Sequence, residues 1–312
     1  MQISPITMKR LAFLLLATAC ALPQVGTAAA LLAGIAFSLA FANPWPAESS
    51  AWSRKLLQIS VVGLGFGLSL PEIWQVGKSS IGYTIIGILL TILIGSLLGR
   101  VLGVRNNTSL LVSFGTAICG GSAIAAMAPV LKAESEDTAV SLATVFMLNS
   151  VALLAFPPVG SFFGISQHAF GLWAGLAIHD TSSVVGAAAA YGPAALATAT
   201  TVKLARALWI TPCVMVAAVM KKTSQKGVVP LFIIGFLVAA TIRSLVPSLN
   251  AIWGDLAAIA RQLLVVTLFL IGSGLSRGVL RKVGLRPLLQ GCALWLLVSS
   301  VTLLAVIRGW IA

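Results

Sequence analysis

The sequence predicts an all-α polytopic membrane protein with about 10–11 transmembrane segments, some of them broken or re-entrant. Three observations carry that prediction. Of the 312 residues, 59% are hydrophobic and only 9% are charged, whereas soluble domains are about 45–50% apolar and about 25% charged. Apolar runs recur from one end to the other, and a span needs roughly 20 apolar residues. No hydrophilic run is long enough for a separate soluble domain, so 1–312 reads as one transmembrane transporter domain with halves of about 27–160 and 165–312.

In chain order the apolar segments are 11–22, 27–42, 56–70, 81–99, 109–131, 138–158, 169–190, 196–220, 228–247, 262–276 and 287–307. The first resembles a signal peptide, with Lys9-Arg10, then LAFLLLATACAL, then GTAAA. The apolar pattern continues without pause, so it is read as a retained span. Segments 11–22, 56–70 and 262–276 are short or rich in glycine, a pointer to broken helices. Cys20, Cys119, Cys213 and Cys292 form no CxxC pair, and neither a disulfide framework nor a zinc site is expected.

The net charge of +13 would suggest nucleic acid in a soluble chain. In this one the basic residues sit at segment ends, where topology places them. If the N-terminus is cytoplasmic and every segment crosses, thirteen loop cations lie inside and Lys78, Lys132, Arg243, Arg261 and Arg308 outside. That asymmetry puts the C-terminus in the periplasm. If segments 109–131 and 169–190 are instead re-entrant hairpins, they enter from opposite sides, and the sidedness of Lys132–Asp137 separates the two arrangements.

Two internal similarities appear. Gly65-Phe66-Gly67-Leu68-Ser69 recurs as Gly272-Ser273-Gly274-Leu275-Ser276, each followed eight residues on by another glycine, Gly77 or Gly284. GTAICGGSAI (115–124) recurs 60 residues later as GLAIHDTSSV (175–184). They suggest an inverted structural repeat, although the two pairs occur in an order that plain tandem duplication does not give.

The candidate site residues lie in and just after the second pair. Two adjacent glycines in an apolar segment disfavour continuous helix, so Gly120, Gly121 and Ser122 can present amides and a hydroxyl to an anion. The bland alternative is close helix packing by small residues. His179 and Asp180 sit together in an apolar segment, where ionisable groups are costly and mark transport paths. Histidine exchanges a proton near neutral pH, so the pair is assigned to ion coupling. Thr181, Ser182 and Ser183 follow as substrate-binding hydroxyls, with a structural polar network as the alternative. Lys203 and Arg206 share a helix face. If they point inward, two cations face one carboxylate, Asp180, which can pair with one of them, and the remaining positive charge favours an anion. Asn149 reads as an interhelical hydrogen bond, and Glu134, Glu136 and Asp137 as charges at a helix N-terminus. Glu72 and Asp255 have no evident role.

TAICGGSAIAAMAPVLKAESEDTAVSLATVF (116–146), AIHDTSSVVGAAAAYG (177–192), TVKLARALWITP (201–212) and the two GxGLS segments together resemble the YeiH-type sulfate exporter family of bacterial inner-membrane proteins. The similarity runs in order from about residue 30 to the C-terminus. The family usually shows glutamate after the histidine, where this chain has Asp180. The resemblance implies a secondary transporter of the bacterial inner membrane that exports sulfate, sulfite or a related small anion.

The leading expectation is therefore ion-coupled transport of a small anion by alternating access, and the runner-up is sodium-coupled symport of an organic anion. An intramembrane enzyme with Cys119 or Ser122 as nucleophile is weaker, since HExxH and GxSxG are both missing. No catalytic residue, metal or cofactor is expected beyond a coupling proton or sodium ion. The expected partners are a small anionic solute and the lipid bilayer, not nucleic acid, with a homo-oligomer left open.

Overall fold

A computed structural model describes residues 5–221, 231–274 and 284–311. Lys222, Lys226, Arg277, Arg281 and Lys282, which enter the charge count, and Leu275 and Ser276 of the second GxGLS copy lie outside the described residues. The described residues form helices and turns: α1 (Pro5–Ala19), α2 (Thr27–Phe41), α3 (Pro46–Gly65), α4 (Leu70–Val101), α5 (Asn106–Ala117), α6 (Gly121–Met127), α7 (Ser135–Phe162), α8 (Gln167–Ala177), α9 (Thr181–Tyr191), α10 (Pro193–Ala207), α11 (Ile210–Lys221), α12 (Leu231–Leu245), α13 (Asn250–Ser273) and α14 (Leu285–Ile307). Five stretches are helical, long and apolar enough to cross a membrane, and the bent α3–α4 start makes a sixth. The protein is an all-α polytopic membrane protein.

The chain divides into two compact units, each assembled from two stretches far apart in the sequence: Met1–Glu72 with Leu231–Leu280, and Ile73–Pro230 with Arg281–Ala312. Each unit contains one of the two internally similar pairs. The nested order of those pairs follows from this interleaving.

In the first unit the hairpins α2–α3 and α12–α13 interlock. The first helix of each packs on the second helix of the other, and α3 packs on α13. Small residues allow the close approach: Gly34 lies against the Phe269 carbonyl, Gly272 against the Leu31 carbonyl, and Gly65 against the Phe236 carbonyl. The glycines of the GxGLS copies thus serve packing as well as the turn after α3, where the chain bends by 107°. The other two segments read as broken are continuous helix over most of their length: 11–19 lies within α1 and 262–273 within α13. Glu72 has a role after all. Its carboxylate accepts from the Ser69 amide at 2.8 Å while the Ser69 hydroxyl faces the Glu72 amide at 3.4 Å, a reciprocal cap on α4.

The second unit contains two short helix pairs, α5–α6 and α8–α9, each followed by a longer helix. Helices α5 and α7 run parallel from a common level. Thr108 Oγ1 donates to Asp137 Oδ1 at 2.6 Å near their starts, and Gly115 lies against Val145 further along. Arg105, just before α5, pairs with Glu134 at 2.9 Å and Glu136 at 3.4 Å, beside the start of α7. The chain therefore enters through α5 and returns through α6 to the same end. The second pair repeats this. Gln167 Oε1, at the start of α8, accepts from the Ala194 amide at the start of α10 at 3.0 Å, and Tyr191 Oη donates to the Ile165 carbonyl at 2.6 Å.

Both pairs fold back as hairpins, which fits re-entry rather than full crossing of segments 109–131 and 169–190. The reason is length. Helix α5 has 12 residues and α6 has 7, about 18 Å and 10 Å at the ordinary rise, so neither spans a hydrocarbon core of about 30 Å. Glu136–Phe162 of α7 is long and apolar enough to cross. The base of the first hairpin sits at its start and that of the second just past its end, so the hairpins enter from opposite faces. Helices α5 and α8 end, and α6 and α9 begin, at positions 60 residues apart, the spacing of the sequence repeat.

Candidate functional site

The tips of the two hairpins meet. The first tip is Ile118-Cys119-Gly120 and the second Ile178-His179-Asp180. Gly120 has φ 66° and ψ −126°, a backbone region open to glycine alone. A Cβ there would also stand 3.2 Å from Asp180 Cα. Glycine is thus required both by the turn and by the contact.

Helix α10 clamps the tips. Gly171 and Gly175, one turn apart on α8, lie against Thr198 and Val202 of α10, and this close packing brings Lys203 and Arg206 onto the end of α8. Lys203 is fully buried. Its Nζ donates to the Ile118 carbonyl of the first tip at 3.1 Å and to the Ile178 carbonyl of the second at 2.7 Å. Arg206, 2% exposed, donates from Nε to the Ala117 carbonyl at 2.6 Å and from Nη1 to the Leu176 carbonyl. Two cations therefore neutralise the carbonyl-bearing C-terminal ends of α5 and α8, the negative ends of their dipoles.

The expected pairing of Asp180 with a cation is not found among the described residues. Asp180 instead caps α9, its Oδ2 accepting from the Ser182 amide at 3.0 Å and from the Ser182 hydroxyl. Asn149 of α7 holds the same tip, its Oδ1 accepting from the His179 and Asp180 amides at 3.2 Å each, so the interhelical hydrogen bond read from sequence is present. Both ring nitrogens of His179, which is 1% exposed, and Asn149 Nδ2 are buried without a hydrogen-bond partner among the described residues, as are the hydroxyls of Thr116 and Thr200 on α5 and α10. Buried polar atoms left unpaired are costly and mark sites of function or of unseen water.

Of the sequence candidates, Gly120, Gly121, Ser122, His179, Asp180, Thr181, Ser182, Ser183, Lys203 and Arg206 all fall at the tips or on the clamp. Thr181, Ser182 and Ser183 form the first turn of α9 and are buried. Sequence reasoning missed the Gly171–Gly175 contact, which the small-xxx-small spacing signals. It also missed Gln290 of α14. That buried side chain donates from Nε2 to the Gly95 carbonyl at 2.9 Å and the Ser109 carbonyl at 3.1 Å, joining α4, α5 and α14. Glu134 and Asp137 form a capping box at α7, in keeping with their reading as N-terminal charges. Their carboxylates, with Glu134 foremost, push the Arg105 guanidinium further above its already high pKa.

These features define a polytopic membrane protein built around two re-entrant hairpins that touch tip to tip. The chain belongs to the family described as conserved hypothetical protein 698, whose profile matches residues 5–291. It is 60% identical to the UPF0324 membrane protein GSU2818 of Geobacter sulfurreducens, over 98% of both chains. It is 46% identical to the UPF0324 membrane protein Bd1437 of Bdellovibrio bacteriovorus, over 97% of this chain and 95% of that one. A UPF0324 membrane protein of Bacteroides thetaiotaomicron is 46% identical over 88% and 84%. These names state membrane location and specify no substrate. No solved structure matches the chain.

Proposed function

We propose that the protein is an ion-coupled secondary transporter that exports a small anion of the sulfate, sulfite or sulfonate class across the bacterial inner membrane. One observation carries this reading: two hairpins whose bases lie at opposite ends of α7 meet at their tips, and a pair of buried cations clamps those tips. Irregular backbone at membrane depth is tolerated where it lines a cavity or is buried in protein, and broken helices at the midplane are how secondary transporters build substrate sites. Lys203 and Arg206 against the single carboxylate of Asp180 leave one net positive charge at the tips. The helix start at Gly121 and the hydroxyls of Thr181, Ser182 and Ser183 add donors for oxyanions.

His179, with two unpartnered ring nitrogens beside that charge, is the proposed proton carrier, with Asp180 beside it. The hairpins also improve the charge asymmetry. With the first hairpin returning to the cytoplasmic face, Lys132 joins the inside loops, and the count becomes fourteen cations inside against four outside. This supports a cytoplasmic N-terminus.

The test is flux in proteoliposomes loaded with sulfate or sulfite, with a pH gradient imposed and with sodium present or withheld. Proton-driven efflux is expected, with at least a tenfold loss in His179→Ala while the protein still inserts. Efflux of unchanged pH dependence in that variant would remove the proton role. Strict sodium dependence would favour symport of an organic anion.

A further inference from the structure

The second unit has a cavity of about 160 Å³ that reaches Arg206 of the clamp. Its walls come from α4 (Gly87, Leu90, Thr91, Ile94) and α14 (Leu297, Val298, Val301, Thr302), and its floor includes Leu176 of α8 and Arg206 of α10. The lining is mostly apolar, with Tyr83, Thr91 and Thr302 as the polar side chains besides Arg206. Thr91, Leu176 and Arg206 are buried, whereas Leu90, Leu297 and Val301 at the rim are exposed. The rim continues into the exposed apolar faces of both helices, at Ile86, Leu93 and Leu304, which face lipid in a polytopic protein. The cavity therefore opens to the bilayer.

Its floor is a cation with donors to spare. A guanidinium has five N–H groups in a planar fork suited to carboxylate and related oxyanions. In Arg206 one on Nε and one on Nη1 go to carbonyls. The other three have no partner among the described residues, and no carboxylate lies within 4.0 Å of it there. Apolar walls, a lipid-facing mouth and an unpaired buried guanidinium suit one chemistry: an anionic head on a hydrocarbon tail.

We propose that this cavity is a binding site for a single-chain amphiphile with a carboxylate head, anchored by Arg206 and loaded from the bilayer. It goes beyond the exported anion proposed above, because the ligand is an amphiphile and the route is lateral.

Gly87 offers a clean test. Its side-chain position faces open space, so Gly87→Leu fills the cavity without a clash and raises helix propensity. Binding of radiolabelled decanoate to the full-length protein in neutral-lipid nanodiscs is the measurement, with decanol and sulfate as competitors. Saturable binding is expected, displaced by unlabelled decanoate but by neither decanol nor sulfate, and weakened at least tenfold in both Gly87→Leu and Arg206→Gln. Binding undiminished in Gly87→Leu, or equal competition by decanol, would overturn the proposal. So would a homodimer cross-linked through Val301→Cys that excludes decanoate, because the rim would then belong to a second copy. Sulfate flux is not the readout, so a failure of the transport reading leaves this result standing.

Discussion

At the scale of single residues, the tips depend on side chains with no substitute. Lys203 is the only side chain that donates to both the Ile118 and Ile178 carbonyls among the described residues. Lys203→Met keeps the length and apolar character of the side chain but orphans both carbonyls. An unsatisfied buried acceptor costs about 1–3 kcal/mol, so thermal unfolding in detergent should show a loss of about 2–4 kcal/mol. Gly120→Ala places a β-carbon in a positive-φ turn against Asp180. Such strain costs about 1–3 kcal/mol, and the same assay should report a fall in that range. Most of these residues were legible in the sequence because charge and paired glycines are rare in apolar segments. What each one does was not. Asp180 was read as the partner of a cation, but a carboxylate preceding a helix satisfies free amides two residues on, and the Ser182 amide was nearer than either amine.

Among the elements, the decisive contacts are between parallel helices. Helix α8 can lie close to α10 only because Gly171 and Gly175 lack side chains, and Gly175→Leu forces a side chain into Val202 and the Ala199 carbonyl. Overpacking of that kind costs about 1–3 kcal/mol. It should also separate Arg206 from the Leu176 carbonyl, so the variant should unfold earlier and lose flux together. Apolar periodicity placed α2, α7, α12 and α14 to within a few residues but began α3, α4 and α13 ten or more residues late, because their first turns carry polar and charged side chains. It did not reveal that two segments turn back, because a hairpin of two short apolar helices has the same composition as one broken span. The signal was present in the charges: Arg105 and the Glu134–Asp137 run are complementary, and their pairing requires both ends of segment 109–131 to emerge together.

For the whole molecule, the hairpins fix a sidedness that labelling can read. Single cysteines at Lys132 and at Arg54, in a background lacking the native thiols, should react from the cytoplasmic face alone, and one at His168 from the opposite face. Labelling of Lys132→Cys from the periplasmic side would restore full crossing of segment 109–131. The sequence showed two similar pairs in nested order without explaining the nesting. Folding explains it, since each unit is assembled from two separate stretches of the chain, and short matches in one dimension carry no information about which helices meet.

One ammonium group hydrogen-bonds to both tips, although the tips reach it from opposite sides of the membrane. For either hairpin to swing away it must give up its bond to Lys203, and the ammonium is then left with the other tip as its remaining carbonyl partner. Parting from one tip leaves Lys203 its bond to the other, whereas parting from both would strip a buried ammonium of both carbonyls at once. On the proposed transport reading, that shared latch makes simultaneous parting of the tips the most costly arrangement.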